Sequence, residues 1–167
     1  AYFVGGCVRD VLLGRPPGDV DIATSARPEA VMALFPKHAP TGIRHGTVTV
    51  FLEGRSYEVT TFRTESAYEN FRRPAEVAFV DDIRDDLGRR DFTVNAMAMD
   101  AEGRVMDPYG GSGDLKRGVI RCVGDPDERF REDALRMVRA VRFAAELGFR
   151  LTPSTWRALR RNAGLLR

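Results

Sequence analysis

Apolar residues come in short bursts along this chain, separated by glycine, proline and charge. The run at 2–4 predicts a short strand, and 7–13 a short helix stopped by Gly14 and two prolines. Residues 20–23 predict a strand. Residues 28–35 predict a helix with Ser25 as N-cap and Pro36 as its stop. The clearest alternation lies at 47–53 and 56–62, a hairpin turning at Gly54. Residues 63–80 are polar, contain Pro74 and predict a mobile loop. A helix is expected over 82–89, then a second hairpin from 96–100 and 105–106 turning at Glu102-Gly103. The cluster Asp107-Pro108-Tyr109-Gly110-Gly111 predicts a turn, and 119–123 a strand. One long helix is expected from 127 to 147, ended by Gly148, with another over 154–162.

Strands and helices mix through residue 123, and helices dominate afterwards. The fold class expected is therefore α+β: a small mixed or antiparallel sheet with flanking helices, followed by a helical neck. No internal repeat or low-complexity segment appears. On the long helix, Ala134, Leu135, Met137, Val138, Val141 and Ala145 fall on one stripe at about 100° per residue, which predicts the buried face. Arg129, Glu132, Asp133, Arg136 and Arg139 then fall opposite.

Composition adds constraints. In 167 residues an apolar share of 43% permits a sizeable core, and a net charge of +2 does not by itself imply nucleic-acid binding. Of 26 basic residues only Lys37 and Lys116 are lysine. Arginine suits bidentate phosphate contacts, and a GC-rich genome gives the same bias. Cys7 and Cys122 have no metal-site spacing and offer no disulfide framework. No signal peptide or long apolar run is present, so the cytoplasm is the expected location. The chain begins without methionine and stops in a basic helical stretch, which reads as part of something longer.

Candidate chemistry starts with Asp19 and Asp21. Side chains two apart on a strand share a face, and paired carboxylates suit Mg²⁺, which takes oxygen ligands together with substrate phosphates. The alternative is a strand end with one capping and one exposed carboxylate. Gly5-Gly6 upstream precede a helix start, where backbone N–H groups attract phosphate. Arg9-Asp10 follow. Phosphate grip and metal grip so close together point to phosphoryl or nucleotidyl transfer. No Walker loop, zinc spacing or Ser-His-Asp arrangement competes, and His38 and His45 read as loop residues. Glu58 is either an exposed glutamate or a third carboxylate for two-metal chemistry.

Asp133 and Arg136, three apart on a helix, form a neighbouring acceptor and donor. Glu132 and Arg136 are also an i,i+4 ion pair. Cytosine and adenine offer an exocyclic amino donor beside a ring-nitrogen acceptor; guanine and uracil reverse that order. A carboxylate accepts and a guanidinium donates, so this pair can read C and A while rejecting G and U. Arg139 and Arg142 continue the row towards a triphosphate.

These residues resemble a known family: the class II CCA-adding tRNA nucleotidyltransferases and bacterial poly(A) polymerases, in the polymerase-β-like nucleotidyltransferase superfamily. Four motifs carry the resemblance: the segment from Gly5-Gly6 to Asp19-Val20-Asp21, Arg89-Arg90-Asp91-Phe92-Thr93-Val94-Asn95-Ala96, Asp107-Pro108-Tyr109-Gly110-Gly111, and Glu132-Asp133-Ala134-Leu135-Arg136. The resemblance implies a catalytic head over 1–123 and a helical neck over 124–167, cut off before the family's body and tail. It implies Mg²⁺ held by Asp19 and Asp21, with Glu58 as the additional catalytic carboxylate. Gly5, Gly6 and Arg9 would meet the nucleotide's phosphates, and Arg90 and Asp91 its ribose. Asp133 and Arg136 would read the base, supported by Arg139 and Arg142. The loop 63–80 would correspond to the one implicated in switching from C to A addition. The implied activity is addition of CMP and AMP from CTP and ATP to a tRNA 3′ end, with no membrane involvement. Alternatives are a poly(A) polymerase, a C-only or A-only enzyme, or a head that binds nucleotide without catalysing.

Overall fold

The structure is a computed structural model that describes residues 1–69 and 73–166, with side chains described outside 67–76. Seven strands form one mixed sheet. They are β1 (Tyr2–Val4), β2 (Asp21–Thr24), β3 (His38–Gly42), β4 (Thr47–Leu52), β5 (Arg55–Thr61), β8 (Ala98–Met99) and β9 (Val105–Met106). Their spatial order is β3-β4-β5-β2-β1-β8-β9. All neighbours run antiparallel except β2 and β5, which are parallel. Two further strands, β6 (Arg63–Glu69) and β7 (Arg73–Phe79), pair with each other, and β10 (Val119–Ile120) pairs with β11 (Arg150–Leu151).

The helices are α1 (Gly6–Leu12), α2 (Pro28–Leu34), α3 (Ile83–Gly88), α4 (Gly111–Arg117), α5 (Pro126–Glu132), α6 (Leu135–Leu147) and α7 (Pro153–Asn162). Side-chain caps start several of them, each supplying an acceptor for an orphan N–H. Asp82 accepts from Arg84, Asp125 from Asp127 and Glu128, and Thr152 from Thr155. Among the described residues no helix is long and apolar enough to cross a membrane.

The expected α+β class holds, and the 47–62 hairpin forms as the alternation predicts: Val48, Val50, Val59 and Thr61 are buried. Several boundaries differ. Residues 63–69 and 73–79 are a paired hairpin rather than a loop; residues 70–72 lie outside the described residues. The helix expected from residue 28 starts there, but Ser25 does not cap it. Instead Thr24 Oγ1 accepts from Ala26 N–H at 3.1 Å, and Arg27 occupies the cap position. His38 opens strand β3. Helix α4 is absent from the sequence reading, because Gly110, Gly111 and Gly113 argue against helix by propensity. Asp107 supplies what propensity lacks: its Oδ1 accepts from Gly111 N–H at 2.7 Å and its Oδ2 from Ser112 N–H at 2.9 Å.

The long helix is the largest correction. It is two helices broken at Asp133, whose φ of −140° and ψ of 104° are extended. The break re-aims the second half. The buried residues of α6 are Arg136, Met137, Ala140 and Phe143, while Leu135, Val138 and Val141 of the predicted stripe lie 43%, 51% and 54% exposed. Arg136 tolerates burial because its guanidinium is satisfied. It donates to Glu132 Oε2 at 2.5 Å and to the Arg89 carbonyl oxygen at 3.1 Å. A periodicity argument that places every arginine outside cannot find this face.

The largest apolar cluster joins α1 to the C-terminal helices. Cys7 and Val8 pack with Phe92, Val94, Met97, Ile120, Phe130, Met137, Ala140, Phe143 and Ala158. Burying each large side chain stabilises by roughly 1.5–3 kcal/mol, so this cluster fixes how α6 lies across the end of the sheet. Cys122 belongs to the same cluster, and burial pushes its thiol up to about 12. It stays protonated near neutral pH and is no nucleophile.

Candidate active site

A cleft of about 640 Å³ opens where α1, β2, the segment 89–95 and α6 meet. Its lining includes Gly5, Gly6, Arg9, Asp19, Asp21, Arg90, Asp91, Asp133, Arg136, Arg139 and Arg142. These residues come from both ends of the sequence, and the fold brings them to one place. Glu58 is the one site residue read from the sequence that does not line the cleft. The β2–β5 register sets it directly beside Asp21, on the same face of the sheet, but its side chain is exposed.

The two aspartates do not share a strand. Strand β2 begins at Asp21, and Asp19 sits in the bend before it, exposed at the cleft edge. Asp21 is half-buried. Burial pushes its carboxyl above the usual range, Arg90 opposes that, and neighbouring Asp19 adds to it. Two carboxylates crowded in a partly dry cleft gain from a cation between them. Among the described residues no group of three His, Cys, Asp or Glu side chains could hold a metal ion. A pair of carboxylates facing an open cleft fits Mg²⁺, which keeps waters and shares substrate phosphates instead of needing an all-protein cage.

Gly5 takes a φ of 74° and a ψ of −134°, a backbone conformation that side chains disfavour. A Cβ built there would also lie 3.1 Å from Arg90 Nη1. The glycine therefore lets the Arg90 guanidinium reach the cleft floor beside Asp21. Arg9 is held from two sides, donating Nε to Asp10 Oδ1 and Nη1 to Asn95 Oδ1, both at 2.9 Å. Arg139 donates Nε to Asp91 Oδ2 at 2.6 Å, while Asp91 Oδ1 accepts from Phe92 N–H at 2.8 Å. Asp91 thus organises an arginine of the opposite wall.

Asp133 stands at the helix break, where its Oδ1 accepts from Leu135 N–H at 3.0 Å and so caps α6. Arg136 lies one turn further on, paired with Glu132 as the i,i+4 spacing predicts, although the pair now bridges two helices. Sequence reasoning missed Phe143. Its ring is nearly buried and meets Phe92 edge-to-face with centroids 5.9 Å apart. The guanidinium carbons of Arg9, Arg139 and Arg142 lie 5.4, 5.2 and 4.7 Å from its centroid. Cation–π attraction of about 0.5–2 kcal/mol each offsets the crowding of three like charges. The spacing of Arg136, Arg139, Arg142 and Phe143 is visible in the sequence; that one aromatic ring gathers arginines from two helices is not.

Residues 1–121 match the Poly A polymerase head domain family, and the chain belongs to that family. The resemblance read from its four motifs is borne out. Its relatives include a CCA-adding enzyme of Geobacillus stearothermophilus, 61% identical over 166 residues, an alignment that covers 99% of this chain and 41% of the relative. The crystal structure of the Bacillus stearothermophilus CCA-adding enzyme in complex with CTP matches with a TM-score of 0.91 at 57% identity, covering 99% of this chain and 40% of that one. A tRNA nucleotidyltransferase complexed with a primer tRNA and an incoming ATP analog matches with a TM-score of 0.77 at 35% identity, covering 98% of this chain and 46% of that one. The chain spans about two fifths of the length of the curated relatives it matches.

Proposed function

We propose that this chain carries the nucleotidyltransfer site of an enzyme that adds CMP and AMP, without a nucleic-acid template, to the 3′ end of tRNA. The observation behind this reading is the cleft: carboxylates for a divalent cation, arginines for a triphosphate and an acceptor–donor pair for a base line one wall-to-wall space. The relatives named above point the same way. In this reading residues 1–123 are the catalytic head, residues 124–167 begin the neck, and the site of action is the cytoplasm.

Asp19 and Asp21 would hold Mg²⁺, with Glu58 beside them on the neighbouring strand. The chemistry a divalent cation supplies here is activation of the tRNA 3′-hydroxyl and neutralisation of charge on the triphosphate and the leaving pyrophosphate. The protein's own work is positioning. Gly5 and Gly6 leave the cleft floor open for close approach of phosphate, and Arg9 and Arg142 face it with fixed charges. Arg90 and Asp91 meet the ribose, and Asp91 also aims Arg139. Asp133 accepts from the exocyclic amino group of C or A, and Arg136 donates to the adjacent ring nitrogen.

The test is which labelled nucleotides the chain adds to a tRNA lacking its 3′ end. Incorporation of CMP followed by AMP is expected, lost on chelation of divalent cations. Incorporation of AMP alone would instead make the protein a poly(A) or A-adding polymerase, and no incorporation together with CTP binding would leave a binding head only.

Base choice should track the helix break. Asp133→Ala should weaken CTP and ATP alike and relax rejection of UTP, since an unmet buried hydrogen bond costs roughly 1–3 kcal/mol. The same change removes the cap on α6, at about 0.5–2 kcal/mol of stability. Asp133→Asn separates the two effects: its amide oxygen keeps the cap while its NH₂ presents a donor to the base. Competition between CTP and UTP for binding reads the outcome, and unchanged discrimination against UTP in Asp133→Asn would place base reading elsewhere.

A further inference from the structure

Behind the cleft wall lies a carboxylate that does not line the cleft. Asp86, in the middle of α3, is fully buried. Its Oδ1 accepts from Arg63 N–H at 3.2 Å and from Arg89 Nε at 3.1 Å, and its Oδ2 accepts from Arg90 Nη2 at 3.1 Å. Both Arg89 and Arg90 line the cleft. Arg90 is pinned on Asp86 through one Nη, and its other Nη comes within 3.1 Å of a Cβ built on Gly5, at the floor beside Asp21. The fork therefore spans from a buried anion to the reacting end of the cleft.

The neighbouring charges explain why an anion is needed there. Arg89 and Arg90 are consecutive, and Arg63 lies close by, its guanidinium pushed below the usual arginine range by burial and then by Arg89. Glu65 accepts from Arg63 Nε at 2.9 Å and from Arg89 Nη1 at 3.0 Å, whereas Arg90 pairs with Asp86. Burial alone would raise the Asp86 carboxyl; Arg89 and Arg90 outweigh it and hold it below the usual range. A charge this buried persists because it is paired on more than one side.

We propose that Asp86 is a positioning residue for nucleotide binding: without touching the nucleotide, it fixes Arg90, and with it Arg89, in the orientation the cleft uses. The proposal rests on the reading of the cleft as a nucleotide site. A neutral amide of the same shape keeps one acceptor but turns an NH₂ group towards a guanidinium, so Asp86→Asn releases Arg90 with little change in volume.

The experiment is a double-mutant cycle read by calorimetry of CTP binding in the presence of Mg²⁺. Asp86→Asn should weaken CTP binding on the order of 10-fold, and adding it to Arg90→Ala should cost little more than Arg90→Ala alone, because residues that act as a unit are not additive. Wild-type CTP affinity in Asp86→Asn, or losses that multiply in the double variant, would overturn the proposal. A melting temperature that falls while affinity holds would overturn it too, since that is what a purely structural carboxylate does. A second measurement needs no substitution. In the unsubstituted chain without nucleotide, NMR of the guanidinium groups should show slowed rotation for Arg90, and free rotation would refute the clamp even if Asp86→Asn fails to fold. If the unsubstituted chain itself does not bind CTP, the nucleotide-site reading fails, and the rotation measurement still decides whether Asp86 fixes Arg90.

Discussion

Asp19→Ala or Asp21→Ala is expected to lower nucleotidyl transfer by about three orders of magnitude or more, roughly 4 kcal/mol in the barrier. Each change removes one of two carboxylates where no third completes a cation site among the described residues. Stability should hardly move. Asp19 is exposed, and Asp21 is held above its ordinary carboxyl range first by burial and partly by Asp19, so its loss relieves a cost. Single-turnover transfer at saturating Mg²⁺, measured alongside a thermal melt, checks both halves. Near-normal turnover by either variant would remove the central claim, and a collapse in the melt would assign the loss to unfolding.

The second large effect falls on stability. Gly111→Ala should destabilise by about 1–3 kcal/mol or more, the range for overpacking a closed core. The Cβ would sit 2.2 Å from the Thr93 carbonyl oxygen and 2.9 Å from its carbon, contacts with backbone that no rotamer change relieves. A chain of this size should then melt several degrees lower, at about 2–4 °C per kcal/mol. The displaced turn at Thr93–Asn95 also presents Asn95 to Arg9, so CTP binding should weaken in the same variant. A melting temperature within a degree of the unsubstituted chain would show that α4 and this turn separate easily.

Gly111 also shows what the sequence could and could not say. The motif around it is recognisable, and its aspartate, proline and glycines predict a turn. That the second glycine starts a helix pressed against Thr93 depends on a contact distant in sequence, which local pattern does not encode. Strands β4 and β5 were legible because valines alternate on one face. The β6–β7 hairpin was not, because β6 is mostly polar, Pro74 interrupts β7, and the two strands pair with each other outside the seven-stranded sheet. The candidate site was largely legible, since spaced aspartates and arginines state their chemistry in their side chains, and paired glycines mark close approach to the backbone. Two things hid the rest. Asp133 breaks a helix whose composition reads as continuous, and buried charges such as Arg136 and Asp86 take partners that only the folded chain supplies.

The cleft has one further property, which concerns time more than strength. Arg9, Arg89, Arg90, Arg136, Arg139 and Arg142 face it alongside Asp10, Asp19, Asp21, Asp91, Asp133 and Glu146, so six formal positive charges meet six negative ones. Until a divalent cation occupies Asp19 and Asp21, a polyanion approaching from beyond the Debye length, about 8 Å at physiological ionic strength, meets no net formal charge in this lining. In the proposed role the arginines would act only once a phosphate is among them. Arrival is therefore left to diffusion and orientation, without the acceleration a single-signed funnel provides. If the cleft holds nucleotides as proposed, those that differ only in their bases would enter equally often, and the choice among them would be made by how long each one stays.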